Sequence, residues 1–222
     1  MSSSGDSSVK GHRRTSPAGA AVAGDEPRQT RPKWSTDREP EPPIRFLIVC
    51  TANRCRSPMA EELLRSRLRS VTTPTLVSSA GTLAENGLPA MREALAVVGG
   101  PAGHESRHLT VELLQEADLV LCMTREHVRT CAMLLPDAFT RTFTVRELAR
   151  RAGASGPRRP GEPLDAWLAW VATGRRMSDF VGYHDPDDII DPIGEPVELY
   201  RRCATDLDAL LASIVSLVFP AG

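Results

Sequence analysis

The sequence predicts an α/β fold, namely a three-layer sandwich in which a four-stranded parallel sheet carries helices on both faces. Short apolar runs of strand length alternate with amphipathic segments of helix length from residue 44 onward. The apolar runs are nearly continuous, which is typical of strands buried on both faces of a parallel sheet. Ligands bind such sheets beyond the carboxyl ends of the strands, so we expect the functional site at that edge.

Two segments depart from this alternation. Residues 1–43 are dominated by Ser, Gly, Pro, Ala, Arg and Glu, a composition that cannot bury enough apolar surface to offset its ordering entropy. We therefore predict a disordered N-terminal tail at 1–43 and a folded domain at 44–222. A Gly-, Pro- and Arg-rich stretch opens a predicted insertion at about 150–187. A short helix in it places Trp167 and Trp170 on one face, where we expect them to pack in the core or in a lid rather than to form a stacking site.

The first half of the domain predicts two strands, each followed by a helix. The first strand is IRFLIVC at 44–50, and the helix after it covers 57–69 with Ser57 as its N-cap. The second strand is TLVSSAG at 75–81, and the helix that follows ends at Gly99.

The second half continues the same alternation. A short helix capped by Thr110 precedes the third strand, DLVLCM at 118–123. The next helix ends at Pro136, and TRTFTV at 140–145 is the fourth predicted strand. The long amphipathic segment 197–219 predicts a C-terminal helix.

Composition excludes several function classes. The chain has 222 residues and a formal net charge of −1, so no global charge favours nucleic acid or an acidic membrane surface as a partner. Its five cysteines are few and odd in number, which does not fit a disulfide framework. The N-terminus lacks the apolar core of a secretory signal, and the longest apolar stretch, 210–219, is too short to span a bilayer. We therefore expect a cytoplasmic protein with reduced thiols and no membrane partner.

Reactive residues concentrate where the first predicted strand meets the first helix. A loop before a helix N-terminus presents backbone N–H groups to an anion such as phosphate. Arg56 can grip two phosphate oxygens, and the same field stabilises a thiolate at Cys50 for in-line attack on phosphorus. Ser57 can donate a hydrogen bond to that sulfur, and Asn53 tolerates the left-handed backbone of a strained loop. The predicted anion-binding loop comprises Thr51, Ala52, Asn53, Arg54, Cys55, Arg56 and Ser57.

The spacing Cys-x5-Arg-Ser within VCTANRCRSPMAE resembles the phosphate loop of the low-molecular-weight protein-tyrosine phosphatase family. The resemblance extends over most of the domain, through SSAGT at 78–82, HESRHLT at 104–110, ADLVLCM at 117–123 and DIIDPIG at 188–194. It implies the same sandwich, with a phosphate loop after the first strand. It also implies a protein phosphatase that hydrolyses phosphotyrosine or related phosphoryl groups through a cysteinyl-phosphate intermediate.

The resemblance also implies a general acid. A phosphate monoester needs a proton on its leaving oxygen, and the family takes it from the Asp of an Asp-Pro pair. Two such pairs occur; the order of elements favours Asp191 over Asp185, and we expect Asp188 to cap or solvate the loop. The implied catalytic set is Cys50, Arg56 and Asp191, with a phosphorylated protein as partner, an oxyanion in the loop, and no cofactor. No metal is expected, and His104 and His108 are assigned supporting or surface positions.

Five residues depart from the family pattern. Ala52 stands where Gly is frequent. Arg54 stands where Ile accompanies an aromatic substrate ring and Thr marks the protein-arginine phosphatase branch. In the Asp-Pro loop, Ile193 and Gly194 stand where the family often has aromatic residues beside the substrate. Glu85 stands near another position where an aromatic residue is frequent. Arg54 either favours an acidic substrate flank or points to solvent, so the choice between phosphotyrosine and phosphoarginine stays open.

Two other functions remain as alternatives. A thiol-coupled arsenate reductase shares this fold but needs resolving cysteines, and Cys122 and Cys131 are the candidates; we expect the first in a strand and the second on a buried helix face. A phosphoprotein-binding module without turnover is the other alternative. Cys55 either forms a reversible disulfide with Cys50 or packs the loop, and Cys203 is expected in the core.

Overall fold

A computed structural model of the protein describes residues 42–100, 103–181 and 186–220. The predicted tail therefore lies outside the described residues except for its last two positions, and so does Asp185.

Four parallel strands form the sheet that the sequence predicts. They are β1 (Ile44–Cys50), β2 (Thr75–Gly81), β3 (Leu119–Cys122) and β4 (Thr142–Thr144), in the order β2-β1-β3-β4. All three pairings are parallel, so every carboxyl end lies at the same edge of the sheet. The register aligns Cys50 with Gly81 and Val49 with Cys122, which brings the ends of three strands beside the predicted loop.

Helices cover both faces of the sheet. They are α1 (Arg56–Leu68), α2 (Arg92–Val98), α3 (Val111–Glu116), α4 (Arg125–Leu134), α5 (Val145–Ser155), α6 (Leu164–Val171) and α7 (Val197–Val218). One buried cluster joins the sheet to α1, α5, α6 and α7 through Ile48, Leu64, Leu121, Leu148, Leu168 and Leu207. A second cluster, on the other face, joins it to α3 and α4 through Leu47, Val49, Leu114, Val120 and Val128. Successive strand residues thus contribute to opposite cores.

Helix α5 is the element that the sequence reading missed. The predicted insertion at about 150–187 begins within this helix, which continues to Ser155 and is followed by Gly156 at φ 83°. Thr144 caps the helix by accepting the N–H of Glu147, and Val145, Leu148 and Ala152 form its buried face. The spacing of these three apolar residues is typical of a helix. The Gly and Arg residues in the same segment obscured this pattern in the sequence.

The segment after α5 packs along the β4 edge. Trp167 is fully buried and donates Nε1–H to the Gly156 carbonyl at 3.1 Å, which confirms its core placement, while Trp170 is half-buried. The guanidinium of Arg175 is 1% exposed and donates to the Thr142 carbonyl at 2.7 Å. Covering an edge strand in this way prevents it from pairing with another chain.

In the described part of the chain, none of the helices combines the length and apolar character needed to cross a membrane.

Candidate active site

The predicted loop lies between β1 and α1, at the carboxyl edge of the sheet. One expectation about it is wrong: Ser57 is not the N-cap of α1, because the helix begins at Arg56 and Cys55 occupies the cap position. The Ser57 hydroxyl instead lies 2.9 Å from Cys50 Sγ. A side chain that faces the sulfur in this way cannot also accept the N–H groups of its own first helical turn.

The sulfur of Cys50 is buried and receives directed donors. The Asn53 backbone N–H donates to Sγ at 3.2 Å. Arg107 N–H donates to Asn53 Oδ1 at 3.0 Å, which fixes the amide so that Nδ2 points the other way. Nδ2 donates to Ser57 Oγ at 2.9 Å. A Cys50 thiolate can only accept, so the Ser57 hydroxyl, whose oxygen already accepts from Asn53, is placed to donate its hydrogen to the thiolate form of the sulfur.

A buried chain of polar groups holds Asn53 behind the loop. Asn53 has φ 54°, the only positive φ at a non-glycine position among the described residues, so the expected left-handed conformation is confirmed. Its Nδ2 also donates to Ser79 Oγ at 2.8 Å, and Ser79 donates to Glu61. His104 Nε2 lies 2.8 Å from the Asn53 carbonyl. This chain fixes the loop to α1, β2 and the segment before α3.

Gly81 leaves the loop the space that it occupies. A Cβ atom at this position would lie 2.5 Å from the Thr51 carbonyl oxygen and 2.8 Å from Asn53 N. Both atoms are backbone and cannot move aside, so a residue with a side chain would displace the loop.

The structure brings Arg56 and Asp191 together over the loop. Arg56 is buried and donates from Nη2 to Asp191 Oδ2 at 2.5 Å, and from Nη1 to the Ile189 carbonyl at 3.3 Å. The Asp191 side chain is 41% exposed, against 6% for Arg56. The carboxylate therefore borders solvent while the guanidinium anchors it beside Cys50.

Asp188 has a different place from Asp191. Its carboxylate accepts the N–H of Arg125, the first residue of α4, at 2.8 Å. The following Ile189 N–H donates to the Met123 carbonyl at 2.8 Å. The expectation that Asp188 caps is confirmed, and the two contacts tie the Asp191 loop to the end of β3.

The rim of the site is aliphatic and basic. Arg54 is half-buried and donates Nε–H to the Pro89 carbonyl at 2.9 Å, which holds its guanidinium at the rim. Leu83 and Ile193 are exposed large apolar side chains, at 77% and 46%. Leu83 N–H donates to the Thr51 carbonyl at 2.8 Å, which places Leu83 beside the loop.

The remaining cysteines divide between the two faces of the sheet. Cys55 and Cys203 share the core face with Cys50, and burial raises both their pKa values, that of Cys203 to about 12. Cys122 and Cys131 pack in the opposite core, with their sulfurs 3.9 Å apart. The sheet therefore separates Cys50 from the pair that an arsenate reductase would need for a relay.

The two histidines of the resemblance do not form a metal site. His104 contacts the loop, whereas His108 Nδ1 lies 3.2 Å from the Ala84 carbonyl. Across 42–100, 103–181 and 186–220, no three His, Cys, Asp or Glu side chains form a group that could hold a metal ion.

Several residues of the site had no sequence signal. Glu61, Ser79 and His127 are buried polar side chains. Ser79 and His127 contact loop residues that are distant in sequence, and Glu61 accepts from Ser79. Glu61 and His127 occupy helices in which a charged or polar residue ordinarily faces solvent. The HESRHLT match alone pointed to His104 and Arg107.

Comparisons with known proteins agree with this geometry. Residues 45–156 match the family described as low molecular weight phosphotyrosine protein phosphatase. A protein-arginine-phosphatase of Geobacillus stearothermophilus is 32% identical over 76% of this chain and 92% of its own length. The low molecular weight protein-tyrosine-phosphatase Etp of Escherichia coli (strain K12) is 37% identical over 44% of this chain and 66% of its own.

Solved structures of phosphatases are also similar to this chain. A low molecular weight protein tyrosine phosphatase from T. tengcongensis superposes with a TM-score of 0.58 at 29% identity, covering 78% of this chain and 98% of that one. The α/β sandwich with its loop after β1 is the fold of these enzymes. The chain belongs to the low molecular weight phosphotyrosine protein phosphatase family and is a phosphoric monoester hydrolase acting on phosphoproteins.

Proposed function

We propose that Cys50, Arg56 and Asp191 carry out the hydrolysis in two steps. In the first, the Cys50 thiolate forms a bond to phosphorus, the bond from phosphorus to the leaving oxygen breaks, and Asp191 gives that oxygen its proton. In the second, Asp191 takes a proton from water, whose oxygen attacks the cysteinyl-phosphate and releases Cys50 and inorganic phosphate. The observation that carries the proposal is that one loop brings together the 2.9 Å contact of Ser57 Oγ with Cys50 Sγ and the hydrogen bond from Arg56 to Asp191.

Arg56 has two successive partners in this mechanism. In the structure Arg56 binds Asp191, and a phosphate dianion is a second partner for the same guanidinium. When Arg56 turns to the phosphoryl oxygens, the Asp191 carboxyl becomes available to the leaving group. The backbone N–H groups from Thr51 to Ser57 stabilise the oxygens of this dianion or a similar oxyanion.

Phosphotyrosine is the substrate that the rim favours. Arg54 holds a positive charge where a phosphoarginine substrate would bring a second guanidinium, and like charges repel. Acidic residues beside a phosphotyrosine would instead pair with Arg54. The counterargument is the similarity to protein-arginine-phosphatases over three quarters of the chain, so arginine dephosphorylation is the second candidate.

Other candidates have less support. The separation of Cys50 from Cys122 and Cys131 by the sheet disfavours arsenate reduction. We propose a cytosolic location, since a thiolate nucleophile works only while it is reduced. Neither nucleic acid nor a metal or cofactor takes part in the proposed reaction.

The first experiment measures phosphate release from an aryl phosphate by the wild type, Cys50→Ser and Asp191→Asn. We expect no turnover with serine and a kcat about 10² to 10⁴ lower with asparagine, because the leaving oxygen then departs without a proton. Activity that survives in the serine variant contradicts the proposed nucleophile.

A second experiment compares phosphotyrosine peptides with acidic or neutral flanks and a phosphoarginine peptide. The wild type is expected to prefer the acidic flank about tenfold, because the guanidinium of Arg54 pairs with it, and Arg54→Glu to reverse the preference. Arg54→Thr serves as the neutral control. Faster turnover of phosphoarginine by the wild type would replace phosphotyrosine as the assigned substrate.

A further inference from the structure

The side chain of Thr51 has hydrogen-bond donors on both lone pairs of its oxygen. His127 Nε2 lies 3.0 Å from Thr51 Oγ1, and Arg56 Nη2 lies 3.4 Å from it. Arg56 donates there without ambiguity. The direction of the other bond depends on which ring nitrogen of His127 holds the proton.

The surroundings of His127 fix that proton. Nδ1 has two contacts, with the Thr124 backbone N–H at 3.1 Å and with Thr124 Oγ1 at 2.8 Å. The N–H can only donate, and the hydroxyl, whose oxygen accepts the His127 N–H, can donate as well, so Nδ1 is an acceptor and has no proton. His127 is 3% exposed, and burial together with the Arg56 charge lowers its pKa to about 3, so the ring is neutral. The single proton therefore lies on Nε2, which donates to Thr51.

The Thr51 hydroxyl is consequently left as a donor. Its oxygen accepts from His127 and Arg56, so its own hydrogen points in a third direction. Within the part of the chain that the structure describes, no protein acceptor takes that hydrogen. Thr51 Oγ1 and Asp191 Oδ2 both accept from Arg56 Nη2, which locates the hydroxyl on the side of the loop that faces the proposed acid.

We propose that Thr51 donates this hydrogen to a phosphoryl oxygen of the bound substrate, and that His127 positions it as a donor. The inference rests on the proposed function and adds a side-chain donor to the backbone N–H groups of the loop. No covalent step changes. The charge that accumulates on the equatorial oxygens gains one more hydrogen bond, made by a group that needs no reorientation when substrate arrives.

Thr51→Val and Thr51→Ser form the matched pair for the test. Valine keeps the shape and removes the hydroxyl, whereas serine keeps the hydroxyl and removes a methyl group. With an aryl phosphate we expect valine to lower kcat/KM about 10- to 100-fold and serine at most about threefold. Equal losses in the two variants overturn the proposal.

His127 is tested through Thr51. His127→Phe removes the donor, and His127→Gln offers an amide N–H near the same place, so glutamine is expected to restore part of the kcat/KM that phenylalanine loses. In Thr51→Val, the further change His127→Phe is expected to have no additional effect on kcat/KM per folded molecule. Losses that multiply in the double variant overturn the positioning by His127.

Binding of inorganic phosphate, measured by calorimetry, separates this inference from the proposed mechanism. Thr51→Val is expected to bind phosphate at least fivefold more weakly than Thr51→Ser, whether or not the wild type turns over. A wild type that binds phosphate without turnover contradicts the mechanism alone. Equal phosphate binding by the two variants contradicts the Thr51 donor alone.

Discussion

The phosphate loop has a sulfur side, at Ser57, and a phosphoryl side, at Thr51. On each side, neighbouring donors occupy the oxygen of a hydroxyl group, but the two hydroxyl groups serve different purposes. On the sulfur side, the Asn53 amide donates to the Ser57 oxygen, which leaves the Ser57 hydrogen for a Cys50 thiolate. On the phosphoryl side, His127 and Arg56 contact the Thr51 oxygen, and among the described residues no protein acceptor takes the Thr51 hydrogen. The first hydroxyl has its partner within the protein, and for the second we propose a substrate oxygen as the partner.

The residues on the sulfur side are also more deeply buried than Asp191 on the phosphoryl side. Asn53 and Ser57 have no exposed surface, whereas the Asp191 side chain on the other side is 41% exposed. Cys50, the proposed nucleophile, is held by buried hydrogen-bonded side chains. Asp191, the proposed acid, borders solvent, where leaving groups of different size can enter. The comparison indicates that the sulfur side tolerates little change and that substrate variation acts on the phosphoryl side.

The largest effect is expected from breaking the sulfur side at Asn53. Asn53→Ala removes the amide that directs Ser57 and places Ala at φ 54°, so we expect kcat to fall about 100-fold and the free energy of unfolding by about 2–4 kcal/mol. Chemical denaturation and steady-state kinetics measure both. Asn53→Gly is the control: it relieves the backbone strain and recovers about 1 kcal/mol, but kcat stays low. Recovery of kcat in the glycine variant would show that loop shape alone matters.

An intermediate effect is expected at Ser57, and it separates the two steps. Ser57→Ala removes the donor that stabilises the departing Cys50 thiolate, so kcat is expected to fall about tenfold through the second step. Rapid-quench measurement with an aryl phosphate then shows a burst of leaving group of about one equivalent. Thr51→Val weakens both steps and gives no such burst. A burst in Thr51→Val and none in Ser57→Ala would reverse the assignment of the two sides.

The smallest effect concerns the pH dependence of stability on the phosphoryl side. Burial lowers the pKa of His127 from its ordinary 6.5 to about 3, so between these values the unfolded chain binds a proton that the folded chain excludes. This contribution to stability is complete above pH 6.5 and is lost as the pH falls. From pH 7 to 5.5 it amounts to about 1.3 kcal/mol of the free energy of unfolding.

Denaturant titrations at the two pH values measure this term. His127→Gln is expected to reduce the loss on acidification by that amount, since glutamine does not titrate. An identical loss in wild type and variant contradicts the buried, neutral histidine.

The sheet and the sulfur side were accessible to sequence reasoning because their signals are local. IRFLIVC is an apolar run of strand length, and Cys50, Asn53, Arg56 and Ser57 lie within eight residues. The rule that ligands bind at the carboxyl edge of parallel strands supplied the position of the loop. Even here the capping assignment failed, because a serine at a helix start can serve the cap or a neighbouring sulfur, and the pattern is the same for both.

The phosphoryl side was less accessible because its contacts are long-range. His127 is 76 residues from Thr51 and lies in the first turn of an amphipathic helix, where nothing in its spacing distinguishes it from a surface residue. Asp191 was reached only through the resemblance, and it is 135 residues from its partner Arg56. Helix α5 was missed for a different reason: its glycine and its arginines obscured a short helical repeat of apolar residues.

Because Gly81 has no side chain, the backbone on both sides of the phosphate loop can pass close to strand β2. The backbone atoms that a Cβ there would contact too closely belong to Thr51 and Asn53, one residue from each network. A mutational scan should therefore find this position as intolerant as the nucleophile itself, although it donates no proton and binds no substrate. A phosphate loop transplanted into another fold therefore needs a glycine at the matching position of the neighbouring strand before any catalytic side chain is added.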